Sequence, residues 1–255
     1  MESEGKTDMA AVISRIRSKI NSYKNLLKRI GKQLDENVVL SFGENCLTDN
    51  ILDRNGLKSF SSPYSSGRTN VEYILAFERE EFADLLNREY LVYEYVADKR
   101  VTRNKKYVAT KNRYHEMCIN GFEFTHHDVL GSKINGNKIS KRCQRMLELK
   151  NKNIVIVYHH RLCEETDESL LISHLAELAD IYRARGNDVS VFMFGQVLVS
   201  EEKQRKAVRT VNRGIHVYKF HTLQEWAGEN HDVFWARCDD DLLKTMVTDI
   251  KQKLR

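Results

Sequence analysis

The run Asn153-Ile154-Val155-Ile156-Val157-Tyr158 constrains this chain more than any other stretch. It is almost wholly apolar and β-branched, with no alternation of polar and apolar side chains. A strand with one face in water alternates, so this run predicts burial on both faces, as in the middle of a parallel sheet. Val38–Phe42, Val189–Phe194 and Ile215–Phe220 have the same character. Between and after them lie amphipathic stretches: Leu47–Leu52 before Asn55-Gly56, Asn70–Leu86, Ile139–Leu149, Leu170–Ala184 before Gly186, and Asp240–Leu254. Glycines just past a helical pattern are stop signals. Strands alternating with helices predict an α/β domain of three layers around a mostly parallel sheet. Tyr90–Val96 and Lys106–Ala109 read as further short strands. Glu201–Val211 reads as a polar helix, and serine-rich Leu57–Gly67 as a loop.

With 255 residues, 41% of them hydrophobic and 30% charged, the chain can bury one full core. One proline argues against a loop-rich all-β architecture. No window approaches a membrane-spanning apolar run. Met1-Glu2-Ser3-Glu4-Gly5-Lys6 does not have the basic-then-apolar pattern of a secretory leader, so a cytoplasmic location is expected. The five cysteines (Cys46, Cys118, Cys143, Cys163 and Cys238) are odd in number and widely spaced, with no C-x-x-C pair. A disulfide framework or zinc site is disfavoured, and a reducing compartment fits.

Charge is unevenly placed. The net charge is +5, yet Arg15, Arg17, Lys19, Lys24, Lys28, Arg29 and Lys32 form a wholly basic segment between Met9 and Leu34. The remainder is slightly acidic, which speaks against nucleic acid as a partner. In that segment Met9, Ile13, Ile16, Ile20, Tyr23, Leu27, Ile30 and Leu34 fall on a heptad stripe, so residues 1–36 are expected to be a basic amphipathic helix ahead of a single domain over 37–255. Residues 9–34 can pack on that domain, pair as a coiled coil with another chain, or lie peripherally on an anionic membrane face.

The chemistry concentrates at Val38-Val39-Leu40-Ser41-Phe42-Gly43-Glu44-Asn45-Cys46-Leu47: a buried strand, a tight turn, a cysteine and a helix start. Open α/β sheets bind ligands at the carboxyl ends of their strands. N–H groups and the helix dipole at Cys46 would lower its thiol pKa and could hold an oxyanion. The alternative is a structural cysteine near a helix start. Two histidine clusters lie elsewhere, Thr125-His126-His127-Asp128 and His159-His160-Arg161. Adjacent histidines on a strand point opposite ways, so one of each pair can face a site while the other is structural. His126 or His127 is the candidate base for Cys46, with Asp128 or another carboxylate fixing its tautomer. Gly43, Asn45, His159, His160, Arg161 and Arg68 are candidate substrate contacts, the arginines for an anionic group; Arg142 and Arg145 could serve the same purpose. No metal-ligand spacing, dinucleotide fingerprint or P-loop occurs.

Ser41-Phe42-Gly43-Glu44-Asn45-Cys46-Leu47, with Leu52-Asp53-Arg54-Asn55-Gly56-Leu57-Lys58 and Ser62-Pro63-Tyr64-Ser65-Ser66 after it, resembles a bacterial family of papain-like cysteine peptidases of unknown function. That family's S-L-G-x-N-C strand end, L-x-R-x-G-L-R element and downstream histidine-aspartate element match these stretches and Phe124-Thr125-His126-His127-Asp128. Its P-F-D-W-type loop is altered, since the aspartate and tryptophan are missing after Pro63-Tyr64. The resemblance implies Cys46 as nucleophile and His126 or His127 as its partner. There is no C-G-x-C-[WY] signature, and the strand pattern favours a parallel sheet over a papain cleft. The position of Cys46 is similar to the nucleophile of SGNH-type esterases and to a G-N-C element in capsule-synthesis acyltransferases. A Rossmann-like or SGNH-like layout is therefore expected.

Taken together, these readings predict a cysteine-dependent acyl-transfer enzyme, an acyltransferase or an esterase or thioesterase. The resemblance implies a substrate that is a small molecule or a glycan precursor in surface-polysaccharide biosynthesis, with no certain cofactor and a CoA thioester as one candidate acyl donor. A non-catalytic carbohydrate or nucleotide-sugar module docked to a membrane assembly is the alternative, with Tyr64, Trp226 and Trp235 as stacking surfaces. A true peptidase is a third reading.

Overall fold

The computed structural model describes residues 36–96, 98–109 and 113–255. The expected basic helix at 9–34 lies outside the described residues. In chain order the elements are β1 (Asn37–Gly43), α1 (Leu47–Arg54), α2 (Val71–Arg79), β2 (Leu91–Val96), β3 (Lys99–Asn104), β4 (Phe122–Phe124), α3 (Lys133–Leu147), β5 (Asn153–His159), α4 (Glu168–Arg183), β6 (Asp188–Leu198), β7 (Lys206–Asn212), β8 (Ile215–Thr222), α5 (His231–Phe234) and α6 (Asp240–Lys253). The main sheet runs β1-β5-β6-β8-β7, and a small second sheet runs β2-β3-β4. β1, β5, β6 and β8 are mutually parallel, and β7 is an antiparallel edge.

The apolar runs are buried on both faces. Ile154, Ile156 and Tyr158 join Leu40 and Met193 on the face packed by α2, α3 and α4. Val155 and Val157 join Val39, Phe192 and Phe194 on the face packed by α1 and α6. Two apolar layers on one sheet make the three-layer α/β arrangement. Among the described residues, no helix is long and apolar enough to cross a membrane.

Local chemistry sets where elements begin and end. Asn70 caps α2 by accepting from Tyr73 N at 3.0 Å. That helix stops at Arg79, well short of the expected Leu86, because Phe82 N closes back onto Phe77 O at 2.8 Å. Glu81 and Phe82 then take left-handed backbone, and Phe82 and Leu85 still reach the core.

Two sequence expectations are corrected. Lys106–Ala109 is not a strand; the strand is the more polar Lys99–Asn104, whose Val101–Asn104 are buried against its neighbours. Glu201–Val211 is not a helix: after a single 3-10 turn it becomes β7. Arg213 and Gly214, both at positive φ, make the two-residue turn that returns the chain as β8. Such a turn matches the strand twist, and its demand outweighs the polarity that suggested a helix.

Candidate active site

At the end of β1, Gly43 has φ +147°, and a Cβ there would lie 2.9 Å from both His159 Cβ and His159 O. Only glycine lets the strand turn away this close to β5. Glu44 N then donates to His159 O at 3.3 Å. Asn45 Oδ1 accepts from Leu47 N at 3.0 Å, and Thr48 Oγ1 donates to Phe42 O at 2.9 Å. These bonds set Cys46 as the residue that opens α1, half-buried.

The second half comes from the small sheet. After β4, His127 N donates to Phe124 O and Ser132 N to Asp128 O, curling the chain into a tight loop. Asp128 pins that loop: its carboxylate accepts from Gly131 N at 2.8 Å, Tyr93 Oη at 3.0 Å and Thr102 Oγ1 at 3.3 Å, with Arg100 at 3.5 Å. The loop brings His126 Nε2 to 3.6 Å from Cys46 Sγ. Asp128 therefore does not play the ring-orienting part expected of it. Among the described residues, no carboxylate pairs with the His126 ring, and Asp128 holds the loop instead.

His127 faces the other way and is buried, and among the described residues its Nε2 has no hydrogen-bond partner. Burial first, then Arg142 and Lys138, push its pKa down to about 4. It does not pair with Cys46.

The electrostatics differ from the expected low-pKa thiol. Burial raises the Cys46 pKa above the ordinary value, and Asp49, in the first turn of α1, raises it further; Arg68 offsets part of this. A carboxylate in the first turn already answers the helix dipole. Burial lowers the His126 pKa, and Lys99 and Arg68 lower it further against the opposing field of Glu123. At neutral pH the resting pair is thus a thiol beside a neutral imidazole. Beneath it, fully buried Glu123 binds Arg103 at 2.6 Å and Arg68 at 3.4 Å. Arg68 and Glu123 also exchange backbone hydrogen bonds at 3.0 Å each way.

The other candidates lie elsewhere. His159 is buried against Phe194 and Trp226, and its pKa falls to about 3, mainly through burial. His160 Nδ1 lies 2.6 Å from Glu44 Oε1, with the carboxylate off the N–H line, and both side chains are 1% exposed. Its Nε2 meets Thr166 Oγ1 at 3.2 Å. Arg161 pairs with Glu225. These three line or underlie the same sheet edge, but none contacts Cys46. Arg142 donates to Ser62 O at 3.2 Å. Glu123, Glu44 and Lys99 were not singled out from the sequence. For Glu123, the alternation Phe122-Glu123-Phe124 before the histidines was a usable signal. Among the described residues, no group of three or more metal-ligating side chains is close enough to hold an ion.

An open-edged, mostly parallel α/β domain with a cysteine at its first strand–helix junction, facing a histidine, has the layout of a cysteine-nucleophile enzyme. The chain belongs to the family described as "Putative papain-like cysteine peptidase (DUF1796)", whose model matches residues 37–200. No curated protein and no solved structure matches it. The matched span contains both Cys46 and His126.

Proposed function

We propose that the protein is a cysteine-dependent acyl-transfer enzyme in which Cys46 is the nucleophile and His126 the general base. The supporting observation is the 3.6 Å approach of Cys46 Sγ to His126 Nε2 across two separate sheets. Because the thiol is protonated and the imidazole neutral at rest, proton transfer accompanies attack rather than preceding it. Sγ bonds to the acyl carbon while His126 Nε2 takes its proton. Collapse of the tetrahedral adduct expels the leaving group, which takes that proton from His126 and leaves an acyl thioester on Cys46. Water or another acceptor, deprotonated by His126, then attacks the thioester, and the returning thiolate regains the proton.

The Asn45 amide oxygen is tied to Leu47 N, and its Nδ2 has no hydrogen-bond partner among the described residues. That group is our candidate donor for the oxyanion. The family description points to hydrolysis of an amide bond. The place of Cys46 in the sequence, read as resembling that of the nucleophile in SGNH-type esterases and capsule-synthesis acyltransferases, favours an ester or thioester of a glycan precursor, with a CoA thioester as the candidate donor.

Cys46→Ala is expected to abolish acyl turnover while leaving the thermal midpoint within a few degrees. At a pH above the ordinary thiol value, iodoacetamide is expected to label Cys46 ahead of Cys118, Cys143, Cys163 and Cys238, as read by peptide mass spectrometry. Cys118 and Cys143 are buried, and exposed Cys238 has its thiol pushed up to about 11 by burial and Asp239. Uniform slow labelling of all five would defeat the proposal.

A further inference from the structure

Beside His126 lies a cleft of about 360 Å³, walled by β3 and the loop after β4 and reaching Asn135 on α3. Its charge is unbalanced. At the end of β3 and just past it, Arg103 is bound by Glu94 and Glu123, Lys105 by Glu94, and Lys106 by Glu80 and Asp84. Lys99, which lines the cleft, has no carboxylate partner among the described residues. Neither has Lys138, one helical turn beyond Asn135. Arg100 touches Asp128 at 3.5 Å and lies over the Tyr93 ring at 4.3 Å. The carboxylate of Asp128, the one acidic side chain lining the cleft among the described residues, is already claimed by Tyr93, Thr102 and Gly131 N. The walls thus present cationic and neutral donors with no unclaimed acceptor charge.

We propose that this cleft binds an oxyanionic group of the substrate, a phosphate or a carboxylate, against Lys99 and Arg100. This rests on the Cys46–His126 reading, since it places the anion on the substrate that the pair attacks. The arrangement has a consequence for the base. Burial disfavours the imidazolium at rest, and Lys99 and Arg68 add to this, with Glu123 opposing them. An anion held beside Lys99 offsets that cation's field, so His126 becomes a stronger base when the site is filled.

The test uses the full chain and two probes, inorganic phosphate and acetate, followed through the His126 ring proton resonance assigned by its loss in His126→Asn. Phosphate is expected to move that resonance saturably and to raise the His126 pKa. Lys99→Gln is expected to weaken phosphate binding about ten-fold, the scale of one charge-assisted contact. Lys244→Gln, on α6, serves as the control and should bind as the unaltered chain does. Acetate matching phosphate would assign the subsite to a carboxylate, and phosphate alone would assign it to a phosphate. A resonance that neither anion moves, or equal binding by Lys99→Gln, overturns the proposal. If phosphate binds but no acyl substrate turns over, the subsite stands and the nucleophile reading fails.

Discussion

A cysteine that keeps its proton until substrate arrives behaves differently from a standing thiolate. Position alone suggested the second, because a helix start lowers thiol pKa values. Burial and Asp49 reverse that here. The rate of Cys46 alkylation by iodoacetamide is therefore expected to climb through a midpoint above the ordinary thiol value of 9.0. A pH–rate profile already level below pH 6 would contradict this. At this scale the sequence could mark Cys46, because an apolar strand, a glycine and a helix start are local signals. It could narrow the partner to His126 or His127 but not choose, since the choice depends on how the loop after Phe124 is pinned by Tyr93 and Thr102. Glu44 and Lys99 were invisible for the same reason: one matters through His160, the other through an adjoining cleft, and neither relation is local.

Among the elements, the turn between β1 and α1 is the tightest construction. Gly43→Ala places a methyl group against His159 backbone atoms at 2.9 to 3.0 Å, at a φ that side chains rarely adopt. Such strain costs roughly 1–3 kcal/mol. Urea unfolding should show a loss of that order, and turnover should fall with it because Cys46 rides on the same turn. Unchanged stability would show that β1 and β5 can separate locally. The elements themselves were legible where apolar runs were long, as in β5 and β6. They were not legible in β3 and β7, whose pairing comes from a buried cross-strand partner or a hairpin turn rather than from hydrophobicity.

For the molecule as a whole, buried ionisable groups set the pH range of stability. Glu78, fully buried beside Tyr182, has its pKa raised by burial to about 7 from 4.5. The folded state therefore holds a proton that the unfolded chain releases. Stability from this group is complete below 4.5 and is lost as pH rises to about 7, by on the order of 3 kcal/mol at most. Glu78→Gln should remove that loss. Its stability relative to the unaltered chain should improve between pH 4.5 and 7 and stay level above, as measured by chemical unfolding at each pH. A constant difference across that range would refute the assignment. The three-layer architecture was readable in outline from alternating strands and helices. The strand order was not, because nothing local in β1 says that it lies at the sheet edge.

That edge position has a consequence for how the protein forms. Among the described strands of the main sheet β1 pairs with β5 alone, and Asn37 and Asn153, at the start of that pairing, are 116 residues apart in sequence. The small sheet carrying His126 is spelled out inside that interval. Closing so long a loop costs entropy before any contact repays it, and folding slows as contacts become less local. The Cys46 thiol and His126 are therefore expected to come together only once β1 has docked on β5.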